Sequence, residues 1–362
     1  MTTSWAMNRT RERVERLCRS GLEDHELRSG LLSEIGKVVG FDWYAWPLAD
    51  PQTTVGIAPM ARIPCPEELP QLIRLKYQAR PNRWTELLRN GVVAAALAQA
   101  TGGELSRSVL WERLLQRFGV VDVLSVVLAD RFGCWAWLDL WRGGGAPVFA
   151  PPETDFLAAV APVVAAGLRD CRARDFHRGP GPAAPLPAQA VLTLDEDMAV
   201  VAQTSSAAAW LELLQQGPPP HDHVPAEVLN VAAQLLAREA RVDDCAAAAR
   251  LPIGGGSWAS LSAARMDPVT ARGTPPLAVT IQRCLPESRL AVFVRSFGLS
   301  RQERRLLELG ARGIDTAELA RQLGITAYTV QDQFKSMFAK CGIRSRSSLL
   351  ALALGGYEAD SP

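Results

Sequence analysis

The sequence predicts a multidomain protein, with two α+β units in succession and an all-α module of four helices at the C-terminus. Three observations predict it. Helical and strand-like periods alternate up to residue 176 and again from 188 to 296. The stretch between them, HRGPGPAAPLPAQA (177–190), is dense in Pro, Gly and Ala, the composition of a semi-rigid linker. From Leu299 onward the apolar residues fall at helical spacing between recognisable cap residues. A chain of 362 residues, 48% hydrophobic and 21% charged, suits two or three domains that each bury a core.

The first unit, residues 1–176, opens with helix over 8–39, where Leu17, Leu27, Leu31, Leu32, Ile35 and Val38 recur with a break near Gly21. FDWYAWPLAD reads as a strand, TVGIAPMARIPCP as a proline-broken strand and loop, and Pro66–Ala79 and Arg107–Phe118 as helices. VVDVLSVVLAD and CWAWLDLWRG follow as strands joined by a turn at 130–133. Strict alternation in the second places Trp135, Trp137 and Trp141 on one face and Ala136, Leu138 and Leu140 on the other. A helix over 153–176 closes the unit. After the linker (177–187), the second unit (188–296) reads as two short strands around an acidic turn, helices at 205–214 and 225–239, and strands ARLPI, SWASLSAARM and LAVTIQRC. The long helices at 8–39 and 153–176 are the candidate dimer surfaces. No internal sequence repeat is visible.

The third unit, 297–362, carries the densest signals. Ser300 and Glu303 form a capping box, and Asp315 with Glu318 repeats the pattern for a second helix ending at Gly324. Thr326 caps a third helix over about 327–340. Val330, Phe334, Met337 and Phe338 form its buried stripe, while Tyr328, Gln331, Asp332, Lys335 and Ala339 fall on the opposite face. Gly342 stops it, and 346–354 forms a fourth helix. Two short helices across a Gly-containing turn make a helix-turn-helix, whose second helix suits the major groove of double-stranded DNA.

The motif residues LSRQE (299–303), Gly313, AELA (317–320), LGIT (323–326), TVQDQFKSMFAKCGIRSR (329–346) and the closing LLALA resemble the LuxR-type DNA-binding domain of bacterial regulators. Gln302 and Gln333 depart from that family's more usual Arg and His. The resemblance implies a DNA-binding surface of Thr326, Tyr328, Thr329, Gln331, Asp332, Lys335 and Arg346. In topology, the first unit resembles a GAF domain and the second a PAS domain, which implies regions that sense a signal or hold a homodimer on an inverted-repeat operator. A phosphoacceptor receiver is excluded, because the chain opens with a long helix and not with a strand and an acidic pair. An acyl-homoserine-lactone-binding sensor is the alternative, favoured by FDWYAW with Asp50 and Pro51. It is disfavoured by the more than 100 residues between that unit and the helix-turn-helix. A protein-interaction module that binds no DNA is a further alternative.

Charge agrees with the division of labour. Net charge is +1, yet Leu299 to the end holds nine basic and seven acidic residues, two of the acids (Glu358, Asp360) in the final tail. A basic module on a neutral body fits a polyanion partner. Seven scattered cysteines without a C-x-x-C pair, no signal-peptide core and a longest apolar stretch of 13 residues (156–168, containing Pro162) predict a cytoplasmic protein without disulfides or a membrane span. No nucleophile elbow, H-E-x-x-H or kinase pattern occurs, so no catalytic role, metal or cofactor is expected. His221 and His223 lack a third ligand and read as a solvated loop. Gly254–Gly256 read as a turn, because no phosphate-loop lysine follows. Cys65 and Cys134 lack the cationic neighbours of a redox thiol. Among the tryptophans, Trp43, Trp84, Trp135 and Trp137 are candidates for a small-molecule effector pocket, against ordinary packing on a sheet face.

Overall fold

The computed structural model describes residues 2–178, 186–215, 224–267 and 275–355. Most of the linker, the H-x-H of His221 and His223, and the acidic tail with Glu358 and Asp360 lie outside the described residues. The first unit begins with α1 (Thr2–Arg19) and α2 (Asp24–Ile35), separated at Gly21 as its break predicts. Then come β1 (Trp43–Ala49), β2 (Gly56–Arg62), α3 (Leu69–Gln78), α4 (Trp84–Arg89), β3 (Ala94–Ala96), α5 (Leu97–Ala100), α6 (Val109–Arg113), β4 (Asp122–Asp130), β5 (Gly133–Arg142) and α7 (Pro151–His177). The five strands pair antiparallel in the order β2-β1-β5-β4-β3.

Both faces of this sheet are covered, which accounts for the near-continuous apolar runs of β4 and β5. Leu124, Val126 and Leu128 of β4 share a core with Leu157, Val160, Val164 and Leu168 of α7. Their neighbours Val123 and Val127 point the other way, toward Leu72, Leu75 and Leu110 and toward Trp84 and Leu87. The expected helix over 107–118 is broken into a 3₁₀ turn, α6 and a second 3₁₀ turn. The unassigned stretch 80–106 supplies α4, the short edge strand β3 and α5.

The predicted tryptophan face needs correction. Leu128 pairs with Ala136 and Ala129 with Cys134, so Trp135 is the extra residue of a β-bulge. One inserted residue inverts alternation on its far side. Trp135 therefore packs with Ala136, Leu138 and Leu140, while Trp137 and Trp141 lie on the opposite face.

The second unit comprises β6 (Ala190–Leu194), β7 (Val200–Gln203), α8 (Ala207–Leu214), α9 (Ala226–Glu239), β8 (Ala248–Pro252), β9 (Trp258–Arg265) and β10 (Leu277–Arg283). Its antiparallel order, β7-β6-β10-β9-β8, repeats the strand order of the first sheet. The repeat is one of topology. Alternating apolar residues fix which face is buried, not which strand is a neighbour, so sequence comparison does not see it.

The two units are welded together. Helix α9 lies on α3 and β2. Asn230 Nδ2 donates to Gly56 O at 3.0 Å, and the Ala58 N–H donates to Glu227 Oε1 at 2.9 Å. Arg250 of β8 meets the buried Asp50 at 2.7 Å, and Thr85 hydrogen-bonds Asp243. Burial pushes the Glu227 carboxyl from 4.5 up to about 7. An acid whose folded value is raised favours the folded state while protonated, so its contribution is whole below about 4.5 and lost as pH rises through about 7. Glu227→Gln, which stays neutral, is expected to flatten that part of the stability–pH curve. The wild-type chain should lose on the order of 3 kcal/mol more than the variant between pH 5 and 8, read by urea unfolding.

A helix absent from the expected set, α10 (Pro286–Ser296), follows β10. Pro286 in its first turn and Leu290, Phe293, Val294 and Phe297 at helical spacing were its available signals. It joins all three parts: Phe293 and Phe297 pack on Phe176 of α7, and Phe176 packs on Trp258 of β9. The last four helices are α11 (Arg301–Gly310), α12 (Thr316–Leu323), α13 (Ala327–Cys341) and α14 (Arg346–Leu354).

Candidate functional site

Caps define the C-terminal helices as the sequence predicts. Ser300 Oγ accepts from the Glu303 N–H at 3.2 Å, and Glu303 Oε2 accepts from the Ser300 N–H at 2.6 Å. Asp315 Oδ1 caps α12 through the Glu318 N–H at 2.9 Å, and Thr326 Oγ1 caps α13 through the Thr329 N–H at 3.1 Å. Gly324 (φ +65°) and Gly342 (φ +64°) take the left-handed conformation that ends α12 and α13, where a side chain would strain the backbone.

Helix α13 buries Val330, Phe334, Met337 and Cys341. Its other face is open: Tyr328 is 70% exposed, and Gln331, Asp332 and Lys335 are exposed beside it. Lys335 Nζ lies 3.5 Å from Asp332 Oδ1, a surface pair worth little in itself. Thr326 and Thr329 share a 2.9 Å hydroxyl contact at the helix start. Tyr328, Gln331, Asp332 and Lys335 thus form one patch, with the two threonines at its N-terminal end.

Arg346 stands apart. Its Nη2 donates to Ile314 O at 2.5 Å and Gly310 O at 3.3 Å, and its guanidinium covers the Phe334 ring at 5.2 Å. The structure therefore uses it to tie α14 to the end of α11. Gln302 and Gln333, the two departures from the usual motif, face one another, with Gln333 Nε2 3.5 Å from Gln302 Oε1.

Glu303, a residue outside the expected surface, ties α13 to α11. Glu303 is 4% exposed, and its carboxylate receives Lys340 Nζ at 2.7 and 2.9 Å and Ser336 Oγ at 2.8 Å, besides the Ser300 N–H. Burial opposes its ionisation, but Lys340, Ser300 and Ser336 outweigh that and hold the carboxyl below its usual value. On the rest of the protein the module docks through α14: Arg289 Nη1 of α10 donates to Leu352 O at 2.8 Å. This docking leaves the polar patch of α13 exposed to solvent within the full chain.

Of the four tryptophan candidates, two come together, Trp84 and Trp137. Trp84 stacks on Trp137 at 5.7 Å with planes 2° apart; their indole N–H groups donate to Asp139 and to Thr54 O. Trp135 donates to Asp130 at 3.0 Å. Trp43, the first residue of β1, lies against Gly143 and pairs with Trp141 of β5. Of the four, Trp84 alone lines the apolar cavity between the sheet and α3, where Trp141 joins it. Burial raises the Cys65 thiol to about 11 and pushes Cys134 up as well, so neither is a ready thiolate. Among the described residues no helix is long and apolar enough to cross a membrane.

Comparison with known proteins adds one match. Residues 298–353 fit the family model of bacterial regulatory proteins, luxR family. No curated protein matches the chain. The match covers all four capped helices and the exposed face of α13, and residues 298–353 are a luxR-family helix-turn-helix domain.

Proposed function

We propose that the chain is a sequence-specific DNA-binding transcription regulator, read out by α13 and governed by the two α+β units. The observation that carries this is the open polar face of α13, Gln331, Asp332 and Lys335, within a luxR-family domain. An α-helix fits the major groove, where Lys335 can donate to guanine O6 or N7, Gln331 can bridge adenine N6 and N7, and Asp332 can accept from cytosine N4. Thr326, Thr329 and the N-terminal amides of α13 suit phosphate contact, with Tyr328 beside them. One such module reads few base pairs, so a homodimer on an inverted repeat is the expected assembly. The antiparallel sheets with flanking helices support the GAF-like and PAS-like reading of the upstream units, in which they sense a signal or hold the dimer.

Lys335→Ala is expected to cost about 1–3 kcal/mol on the operator and to relax preference at one position per half-site. Asp332→Asn frees Lys335 from its pair and removes a negative charge from the groove face. It should raise non-specific affinity if repulsion is its role, or change one preferred base if it reads cytosine. Binding-site selection from a random DNA library, run with each variant, checks this; unchanged site preferences in both would refute base reading by this face.

A further inference from the structure

The turn between β4 and β5 carries a side chain that turn chemistry does not ask for. Tight hairpin tips favour Asn, Asp and Gly; this one presents Arg131 and Phe132 between the paired Asp130 and Gly133. The turn is stiff. Asp130 Oδ1 accepts from the Phe132 N–H at 2.8 Å, the Gly133 N–H at 3.2 Å and Trp135 Nε1 at 3.0 Å, and its Oδ2 accepts from Arg169 Nη1 of α7 at 2.5 Å. The guanidinium groups of Arg131 and Arg169 lie 4.6 and 4.9 Å from the centre of the Phe132 ring. The tip of that ring points at Gly298, in the joint between α10 and α11. A Cβ at Gly298 would stand 2.9–3.2 Å from three ring atoms, and its φ of +59° suits glycine. Beside it, Arg295 Nη1 of α10 donates to Phe132 O at 2.7 Å. The Gly298 and Leu299 N–H groups close α10 on Arg295 O at 3.1 Å and Val294 O at 2.9 Å, and Ser300 already caps α11. The joint is therefore no longer than residues 297–299.

At its other end α10 meets Arg250, which Asp50 fixes, and Gly133 of the turn packs on Pro51, the residue after Asp50. A shift of the first sheet thus reaches α10 at both ends, and the Phe132 contact bears on the joint itself. Close-packed groups pass such a shift on instead of absorbing it. We propose that the β4–β5 turn is the contact through which the first unit positions the C-terminal domain. With the Phe132 ring seated on Gly298, α14 rests on α10 and the polar face of α13 stands open; withdrawal of the ring frees the joint and lets α14 leave α10. Any event that moves the turn shifts the balance between these two arrangements. That the positioned domain reads DNA rests on the regulator reading; the contact itself does not.

Hydrogen exchange of the full chain tests this without DNA. Phe132→Ala removes a packed ring with two cationic neighbours. It is expected to speed exchange about tenfold in 294–300 and in α14, while β4 and β5 away from the turn stay protected. Arg295→Met, which leaves the hairpin intact and loses the bond to Phe132 O, should speed the same two segments. Gly298→Ala should speed them strongly in the wild-type background and distinctly less in Phe132→Ala, where the ring it would strike is gone. Unchanged α14 exchange in both Phe132→Ala and Arg295→Met, or an equal effect of Gly298→Ala in the two backgrounds, overturns the proposal. Where Phe132→Ala loosens β4 and β5 as well, Arg295→Met decides, and unchanged α14 exchange in it overturns the proposal. A gel shift on the same samples is read separately. A chain whose α14 exchange responds to the variants but which binds no DNA refutes the regulator reading alone. One that binds DNA with α14 exchange unmoved by the variants refutes the turn contact alone.

Discussion

Asp50→Ala is expected to lower the stability of the full chain by about 3–5 kcal/mol, a large share of the 5–15 kcal/mol typical of a folded domain. Asp50 follows β1 and is fully buried. Its Oδ1 accepts from the Gln52 N–H at 2.9 Å, the Thr53 N–H at 3.2 Å and Arg250 Nη2 at 2.7 Å. Its Oδ2 accepts from Arg250 Nε at 2.7 Å and the Arg250 N–H at 2.9 Å. Arg250 Nη1 reaches on to Gln52 Oε1 at 2.9 Å and to Ser288 O of α10 at 3.5 Å. One carboxylate thus fastens the first unit, the second unit and the helix leading to the DNA-binding domain. Removing it strands a guanidinium that is only 11% exposed. Arg250→Met should be costly alone, and Asp50→Ala/Arg250→Met should recover much of the loss, because a buried pair replaced by apolar groups is often neutral. Urea unfolding of the three variants gives the cycle. A cost below about 1 kcal/mol for Asp50→Ala would show the latch to be incidental.

Asp50 belongs to the aromatic run that the sequence brings to notice, yet its partner lies two hundred residues away. That contrast explains what was legible. Caps and glycine stops act within one helical turn, so Ser300, Asp315, Thr326, Gly324 and Gly342 delimit their helices from sequence alone. Strands of strong alternation, such as β9 and β10, are equally plain. The bulge at Trp135 is not, because a single unpaired residue leaves no mark on composition yet reverses a face. β3 is three alanines, whose strand character comes only from pairing with Val126, Ser125 and Leu124. Helix α10 carried readable spacing but was masked by its position between two units. On α13, the outward residues follow from the buried stripe, whereas the inward commitment of Arg346 depends on carbonyls of α11 and its following loop.

Glu303→Ala is expected to destabilise the DNA-binding domain by about 2–3 kcal/mol and to weaken binding to all DNA sequences alike. The magnitude combines the loss of the Ser300 N–H bond to the carboxylate, the reciprocal half of the capping box, with loss of the charge-assisted hydrogen bonds to Lys340 and Ser336, about 1.5–3 kcal/mol for charged partners before screening by water. Lys340 stays partly in water at 37% exposure, so its liberation is cheaper than stranding a buried ion. Glu303 is the one residue in the domain that both caps α11 and holds two positions on α13, Ser336 and Lys340. Without it, the angle at which α13 is presented rests on apolar packing, the long Gln333–Gln302 contact and the Arg346 guanidinium over Phe334. The effect should differ in kind from Lys335→Ala, which alters a contact without moving the helix. Acid should reveal the same link. Because the folded-state value of Glu303 lies below its ordinary 4.5, its contribution is present above that value and is lost as pH falls through the folded one. Wild-type protein should therefore lose protection of α13 amides in hydrogen exchange on acidification, and Glu303→Gln should lack that acid-dependent component. Full protection of α13 in Glu303→Ala at neutral pH, together with unchanged affinity for non-operator DNA, would place the control of α13 orientation elsewhere.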